Sequence, residues 1–322
     1  MSLEIVRKIL IFLPVIAIFS VIALLINHKY KLNKESKEYP APGNIINING
    51  CKMHVYAEGQ GEKTFLFMAG HGTPNPTIDF KPLWMRLKNE YKIIVVEKAG
   101  YGWSQVSNGP RDIDTMLEET RKALKLSKEK GPYILVPHSM SGLEAIYWAQ
   151  KYPDEVKAII GLDPSVPDFV GKHLQIPNKF QLLFMYFISR IGLSRFIPES
   201  ELKERFPLLA LEDLSVEDIN QYLAIFYKNG YSKNVLNEID YLSENVKKIK
   251  AKGLPIETPM YFFISNGDEL TKEWREILTS YVNQLNNGKY KYLDTGHYLH
   301  HEKADTIVKE IINQLDNWSV LK

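Results

Sequence analysis

Short apolar runs recur along the chain after residue 60: TFLFM (64–68), KIIVVE (92–97), YILVP (133–137), AIIGL (158–162), MYFFI (260–264) and KYKYL (289–293). Runs of this length predict strands buried inside a sheet. Amphipathic stretches separate several of them. In DTMLEETRKALKLSKEKG, Asp114 and the Thr115-x-x-Glu118 pattern predict a capped helix start, and Gly131 marks the stop. In ADTIVKEIINQLDNW, helical spacing puts Ala304, Ile307, Val308, Ile311, Ile312 and Leu315 on one face. Strands and helices in alternation predict an α/β fold, with a mostly parallel central sheet and helices on both faces.

Two departures from this rhythm add detail. Before the first run, IINING meets CKMHVYAEG at Asn49-Gly50. Both residues tolerate the positive φ of a type I′ turn, which predicts a hairpin. From residue 165 to about 250 no strand is legible. FQLLFMYFISRIGLSRFI and INQYLAIFYKNGYS are rich in aromatic and long apolar side chains instead. We read this interval as a helical cap over a pocket. Gln181 and Arg190 interrupt its longest apolar run and argue against a membrane span there.

The amino terminus is of another kind. Ile9 to Ile26 carries no charge. At 1.5 Å per residue it spans roughly 27 Å, close to the hydrocarbon thickness of a bilayer. A signal peptide has a shorter apolar core followed by small residues, whereas NHKYKLNKE follows here. The expected organisation is a tail at 1–8, a transmembrane anchor at 9–26, a linker at 27–43, and a catalytic domain at 44–322 with its cap at about 165–250. The expected location is the cell membrane, in a single pass. Arg7 and Lys8 precede the span, and Lys29, Lys31, Lys34 and Lys37 follow it. That balance leans toward a cytoplasmic domain and leaves the topology open.

Composition narrows the function classes. Of 322 residues, 40 are Lys or Arg and 38 are Asp or Glu, a formal charge of +2. No global field favours nucleic acid, and no such partner is expected. The single cysteine, Cys51, has no internal partner for a disulfide. HYLHHE fits neither H-E-x-x-H nor H-x-x-E-H, so no metal is expected. No G-x-G-x-x-G follows the first parallel strand, so no dinucleotide cofactor is expected either.

Candidate chemistry sits in VPHSMSG (136–142), between a strand and the helix SGLEAIYWAQKY. A serine on such a turn projects at the carboxyl edge of the sheet, beside a helix N-terminus that favours negative charge. Small residues are needed two positions either side. Ser141 is small, and Pro137 departs from the usual glycine. A serine hydroxyl also needs a base, and the base an acid, in the chain order serine, acid, histidine. Asp268 in SNGDEL and His297 in DTGHYLHHE follow successive strands in that order. Asp163 in GLDPS, at the end of another strand, is a rival acid. The oxyanion donors would be the N–H of Met140 and one from AGHGTPNP, either His71 or Thr73 by register, each worth roughly 3 kcal/mol of barrier.

EKAGYGWS (97–104), the stretch from Gly131 to Ser165 with its KYPDEV segment, and TGHYLHHE (295–302) together resemble the α/β-hydrolase fold superfamily. They are most similar to its serine hydrolases with a helical cap. The resemblance covers about residues 44 to 318 without the cap, and implies Ser139 as nucleophile, Asp268 as acid and His297 as base. The expected activity is that of a membrane-anchored serine hydrolase, esterase-like, forming an acyl-enzyme from a small-molecule acyl substrate without a cofactor. The alternatives are a prolyl-type aminopeptidase or acyltransferase with the same triad, and a catalytically silent, membrane-tethered binding protein. Epoxide hydrolases and dehalogenases use an aspartate nucleophile, where this chain has Ser139.

Overall fold

An eight-stranded sheet runs through the domain in the order β1-β2-β4-β3-β5-β6-β7-β8. The strands are β1 (Asn44–Ile48), β2 (Cys51–Glu58), β3 (Thr64–Met68), β4 (Lys92–Val96), β5 (Tyr133–Pro137), β6 (Val156–Leu162), β7 (Met260–Ile264) and β8 (Gly288–Tyr292). The structure is a computed structural model, and it describes residues 3–174 and 178–318. β1 and β2 pair antiparallel, as do β2 and β4, and β3 to β8 run parallel. The predicted hairpin is present, with Asn49 at φ 53° and Gly50 at φ 84°. The predicted strands match to within two residues, because each is an apolar run whose ends meet polar or turn residues.

The helices are α1 (Leu3–Glu38), α2 (Pro76–Asp79), α3 (Lys81–Leu87), α4 (Ile113–Leu126), α5 (Ser141–Lys151), α6 (Pro167–Lys172), α7 (Lys179–Arg190), α8 (Glu199–Arg205), α9 (Val216–Asn229), α10 (Lys233–Ala251), α11 (Trp274–Val282), α12 (Leu299–Glu302) and α13 (Ala304–Asn317). One core cluster joins α4, α5 and α11 to one face of the sheet, and another joins α3 and α13 to the opposite face. The α13 face lies where its spacing puts it, with Ala304, Ile307, Val308, Ile311 and Leu315 all buried. A third apolar cluster packs α8 and α9 of the cap around Leu208, Tyr222 and Phe226, while α6 and α10 join the first cluster through Phe169, Leu242, Val246 and Ile249.

Two local expectations change. α4 is capped by Asp112, whose carboxylate accepts from the Thr115 N–H at 3.1 Å, and the helix ends at Leu126. Asp114 instead accepts from Lys151 Nζ and Tyr147 Oη, both at 2.7 Å, which ties α4 to α5. The segment expected as a linker is helical through Glu38, continuous with the apolar stretch before it. Its Lys, Glu and Leu residues are good helix formers. Tertiary contacts add to this. Arg195 of the cap grips Glu35 with two bonds of 2.6 and 2.7 Å, and its Nε donates to His28 Nδ1 at 3.0 Å. Gly192 lets the helix approach, since a Cβ there would lie 2.7 Å from the His28 Cβ.

Candidate active site

Ser139 sits between β5 and α5 with φ at 55°, a left-handed conformation that non-glycine residues rarely adopt. Neighbouring groups over-determine it. Its N–H faces the Leu162 carbonyl at 3.4 Å, and its carbonyl accepts from the N–H groups of Gly142 and Ser165 at 2.9 and 2.8 Å. Close packing explains the small neighbours. A Cβ on Gly142 would lie 2.4 Å from the Ser165 carbonyl oxygen, and one on Gly70 would lie 2.9 Å from the Ser139 Cβ. Ser141 Oγ donates to the Met68 and His138 carbonyls at 2.6 and 2.8 Å, so this hydroxyl braces the turn. Pro137 is the last residue of β5, paired in register with Met68, and the chain passes from it into the tight turn.

Asp163 is the acid that the structure brings to His297. Its Oδ2 lies 2.6 Å from His297 Nδ1, and the aspartate side chain is fully buried. Oδ1 of the same carboxylate accepts from Trp274 Nε1 at 2.7 Å and from the Ser265 N–H at 2.8 Å. Asp163 also has a positive φ, 50°. Strain in non-glycine residues clusters at functional positions when the surroundings enforce it. Here both residues are at the carboxyl edge, at the ends of the adjacent strands β5 and β6.

Asp268 is elsewhere. It is exposed and accepts from Asn266 Nδ2 at 2.7 Å. The chain after β7 makes a tight turn at Gly267, φ 80°, pressed against Trp274. That loop supplies a donor to Asp163, through the Ser265 N–H, while its own carboxylate faces solvent. The sequence signal for Asp163 was its place in GLDPS, at the end of a buried strand; the chain order serine, acid, histidine fits Asp163 and Asp268 alike.

The ring of His138 packs between His297 and His300, with centroids 4.7 and 4.6 Å away, and its Nε2 lies 3.2 Å from the His297 carbonyl. Burial first, then the neighbouring His300 and His297, holds this imidazole well below its ordinary range, so it is neutral. Beneath it, Asp79 of α2 meets His300 Nε2 at 3.1 Å and His301 Nε2 at 3.3 Å, with all three side chains buried. Burial opposes the Asp79 charge, and the two imidazoles outweigh it and hold the carboxyl low. One carboxylate and two imidazoles are a donor set that can hold a cation. In this arrangement the carboxylate and imidazoles already face one another, and they tie α2 to the loop that carries His297.

The oxyanion candidates separate. The Thr73 N–H is turned to the Gly70 carbonyl at 3.4 Å. His71 and Met140 line one small cavity, and His71 Nε2 bonds the Val235 carbonyl of the cap at 2.9 Å. A strained serine turn before α5 and a carboxylate-bound imidazole therefore lie on the carboxyl side of the sheet, with the ring of His138, the residue before Ser139, 4.7 Å from that of His297.

Comparisons with known proteins agree with this architecture. Residues 80–304 match the family described as alpha/beta hydrolase fold. The chain is 35% identical to the Bacillus subtilis protein YbdG over 312 residues, 95% of each chain. Among solved structures, an epoxide hydrolase from Vigna radiata aligns with a TM-score of 0.66 at 19% identity, covering 85% of this chain and 98% of its own. A thioesterase domain from the curacin biosynthetic pathway aligns at 0.60 and 16%, covering 84% and 98%. At such identities the structural likeness speaks for the fold alone. On the family match and the full-length relative together, the chain belongs to the alpha/beta hydrolase fold family.

Proposed function

We propose that the protein is a membrane-anchored serine hydrolase acting on ester-like carbonyls, with Ser139 as nucleophile, His297 as base and Asp163 as acid. The observation that carries this reading is the 2.6 Å contact of His297 with Asp163, together with a serine held at φ 55° at the end of the strand beside that of Asp163. As Ser139 Oγ attacks the carbonyl carbon, its proton passes to His297 Nε2, and the carbonyl electron pair moves to oxygen. His297 Nδ1–H donates to Asp163, which fixes the tautomer and stabilises the imidazolium. The N–H groups of Met140 and His71 are the donors assigned to the oxyanion, each worth about 3 kcal/mol. Collapse expels the leaving group, which takes the proton from His297. Water then attacks the acyl-serine by the same route in reverse.

The membrane part of the proposal rests on the helix that includes Phe12–Glu38, long and apolar enough to span a bilayer. Its apolar side chains from Phe12 to Ile26 are largely exposed in the isolated chain, and its last turns are packed on the cap. The cap also exposes Phe180, Leu183, Phe184 and Phe187 in a row at helical spacing on α7, and Phe196 nearby. Such a row suits the interface of the bilayer that holds the anchor. The test is covalent labelling of the detergent-solubilised protein by a fluorophosphonate. Wild type should label and Ser139→Ala should not; equal labelling of the two would end the proposal.

A further inference from the structure

Trp274 is the first residue of α11 and is fully buried. Two neighbours fix its indole. Phe169 of the cap helix α6 meets it edge-on, with ring centroids 4.8 Å apart at 82°. The turn at Gly267 closes on it from the other end of the loop, where an added Cβ would lie 2.6 Å from the Trp274 Cβ. So placed, the indole reaches both members of the acid–imidazole pair. Its Nε1 donates to Asp163 Oδ1 at 2.7 Å, and its ring stands at 83° to that of His297, with centroids 6.2 Å apart. The Ser265 N–H donates to the same Oδ1 at 2.8 Å. The segment from β7 to α11, whose Asp268 is exposed, thus meets Asp163 through two N–H groups.

An N–H on Oδ1 favours the ionised carboxylate and draws its negative charge toward that oxygen. Oδ2 faces His297 Nδ1 at 2.6 Å, and the less charge it carries, the less it stabilises the imidazolium. We infer that Trp274 is a positioning residue for the proposed reaction, one that orients Asp163 and through it sets the basicity of His297. With Nε1 in place, the imidazole stays unprotonated, and open to the Ser139 proton, down to a lower pH than Asp163 with one donor would allow. The other titratable groups around this ring are His138, Tyr298 and His300, with Asp79 behind His300 and the exposed Glu269 beside Gly296. Burial holds His138 and His300 neutral at neutral pH, the latter brought down to about 4, and pushes Tyr298 up. All of them are kept in the variants below, so a difference between those variants belongs to the indole.

The inference rests on the reading of Ser139, His297 and Asp163 as the reacting set, and the two can fail separately. The full-length protein in detergent is labelled by a fluorophosphonate over a series of pH values. The rate constant is read, which does not depend on the fraction folded, and its acid limb reports protonation of the base. In Trp274→Phe, which keeps a ring and loses the donor, the limb should move to higher pH by about half a unit or more, since bonds to a carboxylate are among the strong ones. In Trp274→Gln, whose amide N–H stands about as far from Cβ as the indole N–H, the limb should stay within about 0.2 unit of wild type. A limb that stays in place or moves down in the first variant overturns the inference. So does a limb that moves as far in the second as in the first, which marks the indole as packing alone. If neither variant folds by thermal melting, the natural chain made with 5-fluorotryptophan at its five tryptophans decides. Fluorine strengthens the N–H donor, so that limb should move to lower pH, and an unmoved limb overturns the inference. A wild type that labels no faster than Ser139→Ala sinks the nucleophile reading instead.

Discussion

Replacing Asp163 by asparagine separates the two candidate acids, and the structure sets the size of the effect. The carboxylate is held from two sides. Oδ1 accepts from Trp274 Nε1 and the Ser265 N–H, and Oδ2 faces His297 Nδ1 at 2.6 Å. An asparagine amide must choose an orientation. Turning its NH₂ toward Trp274 and Ser265 leaves two buried donors unpaired, at about 1–3 kcal/mol each. The favoured orientation keeps both bonds and points the NH₂ at His297. Nδ1 must then accept, the proton moves to Nε2, and the nitrogen assigned to take the Ser139 proton is blocked. Loss of kcat by about 10⁴, close to 5.4 kcal/mol of barrier, is expected from such a tautomer error. Asp268→Asn changes an exposed side chain paired with Asn266, and its kcat should stay within about twofold of wild type. The assay is ester hydrolysis together with the rate of fluorophosphonate labelling, with thermal melting of each variant as the folding control. If Asp163→Asn keeps more than about a tenth of wild-type kcat, or if Asp268→Asn is the crippled variant, the tautomer argument fails.

Two further outcomes follow from packing and charge. Gly70→Ala puts a Cβ 2.9 Å from the Ser139 Cβ, against a turn that is already strained. Its labelling rate should drop by roughly tenfold to a hundredfold, and a rate equal to wild type would show that the turn can give way. Glu310 accepts from Lys291 at 2.8 Å, and this bond chiefly, opposed by burial and aided by Gln314, brings its carboxyl from about 4.5 down to about 2. The stability it contributes is complete above pH 4.5 and is lost as pH falls through about 2. Lys291 is 40% exposed, so solvent screening cuts the contribution to about 1 kcal/mol or less. Glu310→Gln should flatten that much of the acid limb in melting experiments between pH 5 and 2, and an unchanged limb would contradict the assignment.

Much of this molecule is local and was legible without coordinates. Apolar runs of strand length between amphipathic stretches dictate a covered parallel sheet, because a five-residue run such as MYFFI can bury both faces only inside one. Asn49-Gly50 specifies its turn because its backbone tolerates positive φ. The spacing of Ile307, Ile311 and Leu315 specifies a helix face for the same kind of reason. The serine turn was legible too, from a strand and a helix that meet within three residues, at 138–140.

The acid was decided by tertiary structure. Asp163 and Asp268 both follow strands, and no local property tells them apart. What separates them is that β6 lies directly beside β5, and that Trp274 and Ser265 converge on one carboxylate from more than a hundred residues away in the chain. The helical segment at 27–38 likewise gains contacts that no local pattern reports, since Arg195 and Gly192 of the cap hold it. Asp79 meets His300 and His301, and Glu238 meets Tyr101 and Lys98, for the same reason. A lone polar residue in sequence carries no record of its partners. Its charge becomes informative only when folding removes water and leaves a few named groups to satisfy it.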